Sequence, residues 1–205
     1  MRIVSGMYKN TVLRRPSDTQ VRPTPSIMRG SVVSYLKDSI PGAVVWDMFS
    51  GTGIMGMEFA SAGAAKVLFF DNHPMALSIL KDNIRLIKSR RLPGSTLPPR
   101  LAVINKDLFT RMDNMDPTLA DAQIFWADPP YPLSMKWLQL IVSTPISFLK
   151  EHGWFLMKVD TRELDDASST VVHSEILRLI KTKTYGNTSL IIAQVTGRLH
   201  QVLAG

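Results

Sequence analysis

Val44-Val45-Trp46-Asp47-Met48-Phe49-Ser50-Gly51-Thr52-Gly53 is a short apolar run that meets an acid and then opens into a glycine turn. Helix-like spacing follows over 53–62, so the stretch reads as strand, turn, helix. Ligands of open α/β sheets bind in this place, at the carboxyl ends of the strands. Glycines there allow backbone to approach a ligand closely.

Outward from this unit the same alternation recurs. Apolar runs fall at 43–46, 66–70, 101–104, 123–127, 154–159, 176–180 and 189–195, while 53–62, 73–88 and 134–151 have helical spacing. Strands that are apolar throughout and separated by helices imply a parallel sheet covered on both faces. Thr184-Tyr185-Gly186-Asn187-Thr188 joins the last two runs and is short enough to pair them as an antiparallel hairpin. The expected fold is therefore Rossmann-like α/β of the class I methyltransferase type. Its sheet would be mostly parallel and seven-stranded, with an antiparallel last strand and helices on both faces.

Ahead of this domain, residues 1–15 read as a small basic β-hairpin. Arg2-Ile3-Val4-Ser5-Gly6 and Thr11-Val12-Leu13-Arg14 flank a turn at Tyr8-Lys9-Asn10. A proline-bearing connector follows, and then a helix to about Leu36, capped by Thr24 or Ser26, with Met28, Val32, Val33 and Leu36 on one face. The division expected is 1–40 for hairpin and helix and 41–205 for the main domain.

Composition narrows the function classes. The chain has 205 residues, is 45% hydrophobic and contains no cysteine, which removes disulfides, thiolate nucleophiles and Cys-ligated zinc. The histidines show no ligand spacing with acids, so no metal is expected. No apolar run approaches the roughly 18 residues of a membrane span. The start lacks a signal-peptide layout, and a cytoplasmic protein is expected. The net charge of +7 is uneven: residues 1–40 carry +5, residues 81–100 another +5, and the remainder −3. Two basic islands on a near-neutral body suit a polyanion-binding face, although Lys and Arg also serve simply to solvate a surface.

Two cofactor readings compete at the glycine turn. Gly51-x-Gly53-x-x-Gly56 with Asp71 downstream satisfies the dinucleotide spacing. A pyrophosphate, however, wants uncompensated N–H groups, and Asp47 stands close to the turn. S-adenosylmethionine carries an ammonium and a sulfonium, for which a nearby acid is favourable. In that reading Asp47, Phe49, Gly51 and Gly53 form the cofactor loop, and Asp71 at the end of the second strand accepts from the ribose hydroxyls. After the third strand, Asp107 accepts from the adenine amine and Leu108 packs on its ring.

The fourth strand runs straight into Asp128-Pro129-Pro130-Tyr131. Prolines fix φ and remove backbone donors, leaving carbonyls to accept from a substrate. Asp128 and those carbonyls can hold both hydrogens of an amine whose lone pair is delocalised into a ring. Orientation and charge then matter more than prior proton abstraction. Tyr131 would stack on the flat base.

These residues together resemble the RsmD-like methyltransferases, which methylate guanine N2 in bacterial 16S ribosomal RNA. The resemblance runs from Met1-Arg2-Ile3-Val4-Ser5-Gly6 through Arg22-Pro23-Thr24, Asp47–Gly53 and Asp128-Pro129-Pro130-Tyr131 to Tyr185-Gly186-Asn187-Thr188. It implies S-adenosylmethionine as donor, the 16S rRNA or small ribosomal subunit as partner, and Arg2, Lys9, Arg14, Arg15 and Arg22 as phosphate contacts; a monomer is expected. Three features depart from the family: Pro25-Ser26-Ile27-Met28 stands where charged residues are usual, Asp71 where Glu is common, and the basic loop at 89–100 is longer than usual. Other acceptors with the same tetrapeptide logic are a DNA or other RNA base amine and a protein glutamine. A non-catalytic RNA-binding protein on this fold is a further alternative.

Overall fold

The computed structural model describes residues 1–16, 24–90, 97–110, 121–143 and 149–196. The chain divides into two units, Met1–Asp107 and Leu108–Gly205. The strands form a seven-stranded sheet in the order β3 (Arg100–Asn105), β2 (Lys66–Asp71), β1 (Val44–Met48), β4 (Ala122–Ala127), β5 (Leu149–Asp160), β7 (Thr188–Val195), β6 (Leu177–Tyr185).

In the first unit β1 (Val44–Met48), β2 (Lys66–Asp71) and β3 (Arg100–Asn105) are parallel, with Asp47 opposite Phe69 and Asp71 opposite Asn105. Helix α2 (Ile54–Ser61) follows β1, and α3 (Pro74–Lys88) follows β2. The N-terminal hairpin is smaller than expected: a single antiparallel bridge, Arg2 to Val12, with the Ile3 amide on the Thr11 carbonyl at 3.0 Å. Ile3, Tyr8 and Leu13 are buried beneath it. Gly6 turns at φ 76°, and a Cβ there would sit 1.9 Å from the Ser61 carbonyl oxygen. Only glycine lets this turn lie on the end of α2.

Helix α1 (Ser26–Tyr35) presents Met28, Val32 and Val33 inward, as its spacing predicts. Its start differs from expectation in that Pro25 occupies the cap position and offers no side-chain cap of its own. The Thr24 carbonyl accepts from Arg29, 2.7 Å away. Arg29 also donates to the Arg2 carbonyl at 2.9 Å and to Glu58 of α2 at 3.0 Å. With 6% and 0% of the two side chains exposed, this is a buried ion pair. Burial pushes the Glu58 carboxyl up, while its bonds from Arg29 and the Val4 amide pull it back part of the way.

In the second unit β4 (Ala122–Ala127) is parallel to β5 (Leu149–Asp160), β5 is antiparallel to β7 (Thr188–Val195), and β7 is antiparallel to β6 (Leu177–Tyr185). Helices α4 (Ser134–Ser143) and α5 (Leu164–Val172) complete it. Phe125, Trp137 and Phe155 stack in its core with ring centroids 5.6–6.3 Å apart. Each such pair adds about 0.5–1.5 kcal/mol beyond the area it buries.

Three features of this unit differ from the sequence reading. The helix over 134–151 ends at Ser143, and Leu149 is already in strand. The described start of β5 is irregular. There Ala122 pairs Leu149 but Ile124 pairs Trp154, with His152 at φ 62°. Helix α5 was not anticipated, because Ser168, Ser169, Thr170 and two valines make a poor helix former. Two acids in its first turn and Ala167 and Val171 on its buried side are what hold it. The last hairpin is tighter than expected, turning on Gly186 and Asn187 alone. Gly186 supplies the positive φ of 64° that the first position of such a turn requires.

Candidate functional site

In the first unit the chain leaves β1 through Phe49, Gly51 and Gly53, all at positive φ of 56°, 54° and 83°. The Ser50 amide bonds the Phe70 carbonyl of β2 at 2.9 Å, which fixes the loop across the two strand ends. Asp71 then closes it: one carboxylate oxygen accepts from the Gly51 amide at 2.7 Å and the other from the His73 amide at 2.8 Å. His73 caps α3, its ring accepting from the Ala76 amide at 3.4 Å.

Asp47 is only 1% exposed and accepts from the Gly56 amide at 2.7 Å. Gly53, the cap residue of α2, has no side chain to give, so Asp47 supplies the carboxylate that the helix start favours. A charge-assisted bond of this kind contributes on the order of 1.5–3 kcal/mol. The third glycine of the dinucleotide spacing has a structural explanation here. A Cβ on Gly56 would lie 2.2 Å from the Phe69 ring and 2.8 Å from the Asp47 carboxylate.

Carboxylates thus accept from the Gly51 amide of the loop and from the Gly56 amide in the first turn of α2, a poor receptor for pyrophosphate and a suitable one for a cationic ligand. Two further observations fit S-adenosylmethionine. A Cβ on Gly51 would meet nothing within 4 Å, so the backbone is open on that side. The Ser50 hydroxyl oxygen is buried and has no hydrogen-bond partner among the described residues. Asp107 is exposed two residues past the end of β3, whose Asn105 pairs Asp71, so the two acids share one sheet end. Leu108 is buried at the start of the second unit.

Asn83 of α3 carries a role that the sequence reading missed. It is fully buried and accepts from the Arg14 amide at 2.8 Å. It also donates to the Arg14 and Thr52 carbonyls at 3.2 and 2.9 Å, joining the basic hairpin to the glycine loop. A polar residue on the buried stripe of a helix was the available signal. Around the hairpin Arg2, Lys9, Arg14 and Arg15 are exposed. Arg14 pairs Asp82 at 2.6 Å, and Arg85 shares that acid at 2.8 Å. Arg22 lies outside the described residues.

In the second unit Asp128-Pro129-Pro130-Tyr131 leaves the end of β4 directly, and Tyr131 begins a 3-10 turn into α4. The Pro130 carbonyl accepts from the Leu133 amide at 2.8 Å within that turn, which leaves it one further acceptor site. The Tyr131 hydroxyl meets the Thr188 hydroxyl at 2.6 Å, and its carbonyl accepts from Ser134, which also bonds Glu163. A shallow recess beside the ring is lined by Tyr131, Pro132, Asp160, Arg162 and Glu163. Arg162 forks onto Asp160 and, with its own amide, holds that carboxyl down to about 2.

The residue most clearly missed is Lys158 of β5. Its ammonium lies 2.5 Å from an Asp128 oxygen and 5.4 Å from the centre of the Tyr131 ring. Only 7% of its side chain is exposed, against 19% for Asp128. A lone lysine inside an apolar strand was the signal in the sequence.

A mostly parallel seven-stranded sheet with one antiparallel strand, a glycine loop after β1 and Asp-Pro-Pro-Tyr after β4 is the class I methyltransferase arrangement. Residues 1–194 match the model of the family described as conserved hypothetical protein 95, and the chain belongs to that family. Among its relatives, ribosomal RNA small subunit methyltransferase D of Haemophilus influenzae is 24% identical, covering 95% of this chain and 93% of that protein. The Escherichia coli K12 protein of the same name is also 24% identical, covering 98% and 89%. The solved structure of Escherichia coli yhhF matches with a TM-score of 0.73 at 18% identity, covering 96% of this chain and 98% of that one. The ribosomal protein L11 methylase of Lactobacillus delbrueckii subsp. bulgaricus matches at 0.63 and 14% identity, covering 84% and 81%. At these identities the solved structures speak for the fold.

Proposed function

We propose that this chain is a methyltransferase that uses S-adenosylmethionine to methylate an exocyclic base amine of small-subunit ribosomal RNA, the guanine N2 amine of 16S rRNA. The observation that carries the reading is Asp128-Pro129-Pro130-Tyr131 at the mouth of β4, tied by Thr188 and Lys158. Family membership and the names of the relatives supply the RNA acceptor.

S-adenosylmethionine supplies an electrophilic methyl group on a sulfonium. Phe49, Ser50, Gly51 and Gly53 would hold it, with Asp47 adding negative charge beneath the loop. Asp71 has two of its roughly four acceptor sites engaged by amides, which leaves capacity for ribose hydroxyls. Asp107 and Leu108 would take the adenine.

Asp128 accepts an amine hydrogen and so turns the nitrogen lone pair toward the methyl group, while Tyr131 stacks on the base. Stacking of this kind is worth about 1–3 kcal/mol per base. Attack would form the N–C bond as the S–CH3 bond breaks and the neutral thioether leaves, and the cationic nitrogen would then lose one proton toward solvent. Arg2, Lys9, Arg14, Arg15 and Arg22 of the 1–40 segment supply phosphate contacts, and the acceptor is the 16S rRNA or small ribosomal subunit. Among the described residues no helix is long and apolar enough to cross a membrane.

The test is methyl transfer from labelled S-adenosylmethionine to small-subunit rRNA by wild type and Asp128→Ala. Wild type should transfer and the variant should not, while both bind the cofactor in the micromolar range, roughly −8 kcal/mol. Full activity in Asp128→Ala would sink the catalytic reading, and binding of NAD instead would overturn the cofactor.

A further inference from the structure

An ion pair between a buried lysine and a half-buried carboxylate is an odd choice if stability is all that is at stake. Withdrawing the lysine and much of its partner from water offsets a good part of their attraction, and apolar residues of similar volume often do as well or better. Yet β5, otherwise apolar from Phe155 to Val159, places Lys158 against Asp128 and over the Tyr131 ring. Lys158 stands opposite Leu190 in the β5–β7 register, and Thr188, which holds the Tyr131 hydroxyl, is two residues along the same strand. The ring is therefore fixed from its hydroxyl by β7 and faced by a cation from β5. The carboxylate is fixed by that same cation.

We propose that Lys158 is a positioning residue for methyl transfer, setting the orientation of the Asp128 carboxylate and the seat of the Tyr131 ring. This rests on the base-amine reading of the tetrapeptide. With one carboxylate oxygen bound to the ammonium, rotation of Asp128 is restricted, and the amine hydrogen is accepted in one geometry. The pair is neutral as a whole, so Asp128 presents a directed acceptor and not an isolated negative charge. That division of labour makes alignment, more than charge attraction, the source of its effect.

It also predicts which second change relieves the loss of Lys158. An asparagine at 128 is a neutral acceptor, so no carboxylate is left without its lysine when Lys158 is replaced. The experiment measures steady-state transfer to small-subunit rRNA, with cofactor affinity and thermal unfolding, for Lys158→Arg, Lys158→Met, Asp128→Asn and the Asp128→Asn/Lys158→Met pair. Lys158→Met should lower kcat by about tenfold or more with the acceptor KM changed less than about threefold, because an orientation effect appears in the transition state. Its kcat–pH profile should change shape, and Lys158→Arg should restore most of the rate and the profile. Cofactor affinity should be unchanged throughout.

In the Asp128→Asn background, removing Lys158 should cost less than about threefold, since the two residues act as one unit. This comparison stands even where Lys158→Met alone fails to fold. A wild-type kcat in Lys158→Met, or a second full tenfold loss in the double variant, would overturn the proposal. An inactive wild type with intact cofactor binding would instead strike at the choice of acceptor.

Discussion

At the scale of single residues, the hydroxyl of Thr188 is a small group with a large lever. It holds the phenol of Tyr131 at 2.6 Å from the start of β7. Thr188→Val keeps the branched shape and removes that partner, a change of about 0.5–1.5 kcal/mol for an ordinary hydrogen bond. The acceptor KM should rise several-fold while cofactor affinity stays at the wild-type value. An unchanged KM in steady-state assays would detach Thr188 from Tyr131. The tetrapeptide itself was legible because its four residues are contiguous and follow an apolar strand. Lys158 and Thr188 were not, because they reach it from other strands and only the sheet register brings them there. Even so, a lysine flanked by Met157 and Val159 was an anomaly that the sequence displayed openly.

At the scale of elements, β1, its loop and α2 act as one device. Asp47 reaches forward from the strand to the Gly56 amide, and the absence of a side chain at Gly56 lets Phe69 of β2 press against the helix. Gly56→Ala places a methyl group 2.2 Å from that ring, so strand and helix must separate. The expected loss is about 1–3 kcal/mol or more from overpacking, despite the better helix propensity of alanine. Chemical denaturation should show it, together with weakened cofactor binding; an unchanged midpoint would mean the packing is looser than the distances indicate. The strand–loop–helix order here was legible from period and glycines. The division of 134–151 between α4 and β5 was not, since apolar residues recur through that stretch of sequence and periodicity does not mark the change. Helix α5 was hidden for the opposite reason, its weak propensity being overridden by packing of Ala167 and Val171.

At the scale of the whole molecule, the excess of positive charge is the feature with the widest consequence. Charge in the first forty residues was legible from counting, but its use depends on which cations are already engaged. Arg14 shares Asp82 with Arg85, so reversing it would disturb α3 as well as any RNA binding. Lys9 and Arg15 are exposed and give the cleaner test. If both meet phosphates, Lys9→Glu/Arg15→Glu should weaken binding to small-subunit rRNA. It should also flatten the plot of log affinity against log salt by about 0.7–0.9 for each phosphate that is no longer neutralised. Cofactor affinity should not move, although Asn83 ties the Arg14 backbone to the Thr52 carbonyl, because that link runs through main-chain atoms and not through the reversed side chains. A parallel salt plot with unaltered affinity would remove the hairpin from the RNA face. A joint loss of RNA and cofactor binding would show that the hairpin supports the glycine loop through Asn83 and carries no separate recognition.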